Sequence, residues 1–183
     1  MVETAATISA RARTLLTDLV GFNTISHLSN LELIEYIERY FADLGIATER
    51  VYNEDGNKAN LFATIGPQVD GGLILSGHVD VVPVEGQAWT DDPFKLVERD
   101  DKLFGRGSCD MKGFVALALA SAPAFQAANL ASPIHYAISY DEEVGCLGVR
   151  GLIEELNRKT MNPAMCIVGE PTNPNRLGEM IKI

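Results

Sequence analysis

Gly71-Gly72-Leu73-Ile74-Leu75-Ser76-Gly77-His78-Val79-Asp80 is the stretch on which the reading of this chain turns. Two glycines open it, a short apolar run follows, and a His-x-Asp pair closes it. A continuous apolar run of this length suits a buried central strand covered on both faces. His78 and Asp80 are two residues apart, so at a strand end both side chains point to one side. A histidine that binds metal needs a carboxylate to orient it, and Asp80 is placed for that task.

Three more acidic segments stand where strands should end. Gly105-Arg106-Gly107-Ser108-Cys109-Asp110-Met111-Lys112-Gly113 puts Asp110 in a glycine-rich turn before a helix over 111–125. Asp141-Glu142-Glu143-Val144-Gly145 follows an apolar strand over 134–140. Gly169-Glu170-Pro171-Thr172 follows a strand over 164–168, which a helix over 147–158 precedes. Upstream, apolar spacing gives a helix over 4–20. Ser29-Asn30-Leu31-Glu32 has capping-box spacing before a helix with Ile34, Ile37, Phe41 and Leu44 on one face, stopped at Gly45. Strands over 47–52 and 60–65 flank a polar hairpin loop at 53–58. Residues 94–97 and 102–104 suggest a second hairpin, and 178–183 reads as the start of another strand. Alternating strands and helices imply a three-layer α/β/α domain with a largely parallel central sheet.

In such a sheet the carboxyl ends of the strands converge on one crevice. His78, Asp80, Asp110, Asp141, Glu142, Glu143 and Glu170 gather there, with only Arg106 and Lys112 as basic company. So many negative charges cannot share a cleft unpaired. One or two divalent cations are the natural counter-charge, and His with carboxylates suits Zn²⁺, Co²⁺ or Mn²⁺. Two metals need a bridging carboxylate and favour hydrolysis. A carboxylate outside the metal shell then serves as general base. Blander readings exist for each part. Asp110 has the position of a plain N-cap, and Asp141-Glu142-Glu143 resembles a solvated helix N-terminus. Cys109 reads as a small buried residue, Phe114 and Leu117 as core, His27 as surface and His135 as packed or hydrogen-bonded. The glycines at 105, 107 and 113 fit no nucleotide-binding spacing, and no Gly-x-Ser-x-Gly elbow occurs.

Composition agrees with a folded globular protein. The 183 residues are 46% hydrophobic and 22% charged, the mix of an ordinary globular protein. The formal net charge of -10 argues against nucleic acid and anionic membrane as partners. No signal-peptide pattern occurs, and Ser121, Pro123, Gln126 and Asn129 interrupt the most apolar stretch, so no membrane span is expected. Three scattered cysteines, Cys109, Cys146 and Cys166, make no disulfide framework and fit a reducing, cytoplasmic setting.

These residues also resemble a known family. Ser76 through Pro83, Gly105 through Gly113, Asp141-Glu142-Glu143 and Gly169-Glu170-Pro171-Thr172 are similar to the di-zinc amidohydrolases. That family includes acetylornithine deacetylase, succinyl-diaminopimelate desuccinylase, aminoacylase and glutamate carboxypeptidases. Trp89-Thr90-Asp91-Asp92-Pro93-Phe94 fits its loop pattern, and the wording around Glu142 and Glu170 is most similar to the acetylornithine branch. The resemblance implies roles. His78 binds the first zinc, Asp80 orients it, and Asp110 bridges two zincs with a cis peptide after it. Glu142 is the general base, Glu143 binds the second zinc and Glu170 the first. The implied substrate is a small N-acylated amino acid such as N-acetyl-L-ornithine, and arginine biosynthesis is the implied setting.

Family members are longer, with a lid and dimerisation domain after the Gly-Glu-Pro-Thr segment and a returning chain that supplies another zinc histidine. The resemblance therefore implies that residues 1–183 are the N-terminal part of the catalytic domain. Low activity, weak second-metal binding and an uncovered apolar sheet surface are the matching expectations. The alternatives are a sibling specificity or an inactive metal-binding remnant.

Overall fold

The computed structural model describes residues 3–172. The chain order is α1 (Ala5–Gly21), α2 (Leu31–Asp43), β1 (Thr48–Tyr52), β2 (Ala59–Ile65), β3 (Leu73–His78), β4 (Val97–Arg99), β5 (Lys102–Phe104), α3 (Lys112–Ala127), β6 (Ile134–Ser139), α4 (Val149–Arg158) and β7 (Met165–Val168). Five strands form one sheet in the order β1-β2-β6-β3-β7. β1 and β6 each pair antiparallel with β2, while β3 pairs parallel with β6 and β7. Four of the five strands thus run one way and β2 alone opposes them. β4 and β5 form a separate antiparallel hairpin.

Alternation along the strands sorts the two faces. Leu61, Leu75, Tyr136 and Ile138 point into the larger core, where α1, α2 and α3 supply Leu19, Leu33, Ile37, Phe41, Val115 and Leu119. Phe62, Ile74 and Ala137 point to the other face, where Leu152 of α4 covers them. The three layers are therefore α1/α2/α3, sheet and α4. Because α3 follows β3 on one face and α4 follows β6 on the other, the carboxyl ends of these neighbouring strands open a crevice.

Helix ends and breaks are settled by specific partners. Thr4 Oγ1 accepts the Thr7 N–H and caps α1. Buried Lys112 donates to the carbonyls of Leu19 and Phe22, both at 2.9 Å, and so satisfies the other end of α1. Burial pushes its pKa down to about 7. Pro123 lies inside α3 and deprives the Leu119 carbonyl of its helical donor. The Tyr40 hydroxyl replaces that donor at 3.0 Å.

Several sequence expectations change here. The capping box does not form: Ser29 Oγ accepts the Leu31 N–H at 3.2 Å, and Asn30 turns inward. Its amide donates to the Ala59 carbonyl and accepts from the Ala59 N–H, both at 2.9 Å, tying α2 to β2. The strand expected at 94–97 runs over Val97–Arg99, because Asp100 and Asp101 both take left-handed φ and turn the hairpin there. Met111, not Asp110, occupies the N-cap of α3. Cys109 is exposed, and Leu117 is half exposed on the outer side of α3. All four residues of β7 are exposed among the described residues. The expected strand at 178–183 lies outside them.

Asn30 offers a direct check on the frame. Asn30→Ala leaves two buried backbone groups of Ala59 without partners, so urea unfolding should show a loss of about 2 kcal/mol. A change within experimental error would contradict the tie.

Candidate metal centre

His78 ends β3 with its side chain buried. Its Nδ1 lies 2.9 Å from the Asp80 carbonyl oxygen and 3.3 Å from Asp80 Oδ1. Donation from Nδ1 leaves Nε2 as the nitrogen facing the crevice. Around that Nε2 stand Asp110 Oδ1 at 3.3 Å, Glu170 Oε1 at 3.5 Å and Glu142 Oε2 at 3.7 Å. Three carboxylates from three separate segments thus meet one imidazole nitrogen.

Each carboxylate arrives by local structure that its sequence dictates. Asp110 sits in the glycine-rich turn, where Gly107 takes φ +77° and a Cβ would lie 2.7 Å from Val81. The Asp110–Met111 peptide is cis. Glu170 follows Gly169, where a Cβ would fall 1.9 Å from the Phe114 ring, so only glycine lets β7 end beside α3. Glu142 and Glu143 lie in the loop after β6. Their N–H groups donate to Asp80 Oδ1 and Oδ2 at 3.0 and 3.3 Å. Asp80 therefore does more than orient His78; its carboxylate also anchors the acidic loop.

Two grips on this arrangement were not apparent from the sequence. Ser26 Oγ donates to Asp80 Oδ2 at 2.7 Å. Lys58 Nζ donates to Asp141 Oδ1 at 2.6 Å and to the Ser26 carbonyl. Both residues reach the site only through folding. A parallel bridge between Ile25 and Val81 lays the segment after α1 beside the segment after β3. His135 lies at the far end of the sheet, stacked on Phe62 and bonded to Thr64 at 2.9 Å. It lines a separate cavity of about 530 Å³ with Lys159 and Glu49, which pair with each other.

The electrostatics report strain among like charges. Burial opposes charge on His78, but hydrogen bonds to Asp110 and Asp80, with the Asp80 and Glu170 charges, push its pKa up to about 10. The hydrogen bond from His78 holds Asp110 low. Burial, with the Asp110 and Glu142 charges, pushes Glu170 up to about 7. Glu143 is raised by burial and by Asp110. Among the described residues, no lysine or arginine pairs with Asp110, Glu142, Glu143 or Glu170.

The donor set fits a divalent cation. His78, Asp110 and Glu170 each offer one ligand atom, and these atoms lie within 4.8 Å of one another. His78, Glu142 and Glu143 form a second such group. One nitrogen and several carboxylate oxygens match the chemistry of Zn²⁺, Co²⁺ or Mn²⁺. A cation bound at either group would offset the repulsion among these carboxylates.

Comparison with known proteins identifies the family. The profile of peptidase family M20/M25/M40 matches residues 74–182. The acetylornithine deacetylase of Pasteurella multocida (strain Pm70) is 39% identical over 146 residues, which is 79% of this chain. The chain spans 37% of the length of that relative. Human carnosine dipeptidase 1 superposes over 91% of this chain and 40% of its own, with TM-score 0.76 and 24% identity. A metallo-carboxypeptidase of the M20 family from Sulfolobus solfataricus covers 90% of this chain and 38% of its own, with TM-score 0.77 and 21% identity. At these identities the two structures speak for the fold alone.

Metal uptake should release protons. With His78 pushed up to about 10 and Glu170 to about 7, both must give up protons to ligate. The apparent zinc affinity should therefore rise by about one to two log units per pH unit between pH 6 and 7. Titration calorimetry in buffers of different ionisation enthalpy reads this release directly. Affinity independent of pH, with no proton release, would contradict the site.

Proposed function

We propose, from the premise that the chain belongs to peptidase family M20/M25/M40, that it carries the zinc-binding and acid–base residues of an acetylornithine deacetylase. The observation that carries the reading is the convergence of Asp110, Glu142 and Glu170 within 3.7 Å of His78 Nε2. The likeness to the Pasteurella multocida enzyme supports the choice of substrate, N-acetyl-L-ornithine. The products in this reading are L-ornithine and acetate, and the setting is arginine biosynthesis.

His78, Asp110 and Glu170 would hold a first zinc, and Asp110 and Glu143 would contribute to a second. Zinc there would supply Lewis acidity toward the amide carbonyl and acidity to the attacking water. Glu142 takes the proton of that water and delivers it to the leaving amine. Its Oε2 faces His78, while Oε1 accepts from the Cys146 thiol at 3.5 Å. Asp80 keeps the His78 ring fixed with Nε2 toward the crevice. Residues 1–183 form the N-terminal part of the catalytic domain in this reading, and the complete family enzyme works in the cytoplasm as a homodimer through a dimerisation domain outside these residues. Among the described residues, no helix is long and apolar enough to cross a membrane.

A substrate panel with a base variant tests the reading. The zinc-loaded chain, and any longer product of the same reading frame, is assayed on N-acetyl-L-ornithine, an N-succinyl amino acid, other N-acetyl amino acids and dipeptides. Hydrolysis should favour N-acetyl-L-ornithine. Glu142→Gln should lower the rate by about 10²–10⁴ while leaving the bound zinc in place. Preference for another member of the panel moves the assignment to a sibling specificity. Full activity in Glu142→Gln would remove Glu142 from the role of base.

A further inference from the structure

The loop from Asp141 to Cys146 carries two of the acidic residues of the centre and connects β6 to α4. It is tightly wound: the Gly145 and Cys146 N–H groups both donate to the Glu142 carbonyl at 2.9 Å. It begins at Asp141 with φ +54°, a left-handed conformation that residues with a Cβ avoid. Asp80 accepts the N–H groups of Glu142 and Glu143, which fixes the loop after Asp141. The Leu147 N–H donates to the Asp141 carbonyl at 3.0 Å, while the Asp141 side chain takes its partner from outside the loop.

That partner is Lys58, from the hairpin end just before β2. It is 9% exposed, and its Nζ meets Asp141 Oδ1 at 2.6 Å and the Ser26 carbonyl. The same Nζ lies 5.9 Å from the Tyr140 ring. Two residues along, fully buried Asn60 donates to the Gly148 carbonyl at 2.9 Å and holds the far end of the loop. One short stretch of chain thus clamps the loop at both ends. Ser26 closes the circuit, since its carbonyl takes Lys58 and its hydroxyl reaches Asp80.

We propose that Lys58 is a positioning residue of the metal centre: its grip on Asp141 and the Ser26 carbonyl fixes the loop that aims Glu142 and Glu143 at His78. The role rests on the metal-hydrolase reading above. A largely buried ion pair adds little net stability, because desolvation offsets its attraction. The work of this pair is therefore geometric. Without Lys58, the Asp141 carboxylate turns toward water and draws the start of the loop with it.

The test compares wild type, Lys58→Met and Lys58→Arg in the full chain. Methionine keeps the length of the side chain and removes its charge; arginine keeps the charge. Amide hydrogen exchange, without metal, is followed at Glu142, Glu143, Gly145, Cys146 and Leu147. Zinc affinity is measured by competition with a chelating dye. Lys58→Met should speed exchange at the loop amides while β3 and β6 stay protected. It should also weaken zinc binding by about 10–100-fold, the usual range for a residue behind the ligands. Lys58→Arg should restore both. Unchanged loop protection and zinc affinity in Lys58→Met would overturn the proposal. Equal acceleration throughout the sheet would also overturn it, since that is a general loss of stability. Wild-type protein that takes up no zinc defeats the metal reading instead, and the exchange comparison then decides the role of Lys58 alone.

Discussion

Repulsion among carboxylates is the constraint around which one end of this molecule is built. Asp110, Glu142 and Glu170 approach a single imidazole nitrogen from three segments far apart in sequence. Water would solvate them better if they were apart. Their approach is enforced by backbone: a central strand that ends at His78, two flanking strands in parallel register with it, and glycines that let the acidic turns come close. Hydrogen bonds to Asp110 and Asp80, with the nearby negative charges, push His78 up; burial, with the Asp110 and Glu142 charges, pushes Glu170 up. A divalent cation would answer the repulsion.

Ties between this end and the rest of the fold run through buried polar groups. Asp80 takes hydrogen bonds from Ser26, Glu142 and Glu143 while it faces His78. Lys112, next to the Asp110 turn, reaches back to the last carbonyls of α1. Tyr40 of α2 repairs the hydrogen bond that Pro123 removes from α3. Each of these groups is satisfied, so each adds direction to the packing without an uncompensated desolvation cost. The apolar core supplies most of the stabilisation, and the polar ties decide which residues face the crevice.

The parts legible in the sequence are those with a local signal. The run from Leu73 to His78 showed a central strand because apolar continuity marks burial on both faces. Asp141-Glu142-Glu143 and Gly169-Glu170 stood out because each directly follows such a run, and Asp110 because it sits in a glycine-rich turn before a helix. The capping reading at Ser29 failed because a tertiary partner, Ala59, competes for Asn30. Leu117 and Cys109 were misplaced because apolar character alone does not say which side of an element meets the core. Ser26 and Lys58 carried no local signal. Their meaning arises only when the turn after α1 and the hairpin before β2 are brought to Asp80 and Asp141.

Metal content of the purified, folded chain tests the central claim most directly. The chain is equilibrated with excess zinc, desalted and subjected to elemental analysis beside His78→Ala. The account predicts at least one zinc retained per chain, and its loss in the variant with the fold intact. A folded wild-type chain that retains no zinc, or a variant that keeps it in full, would contradict the claim that these carboxylates are gathered to hold a metal.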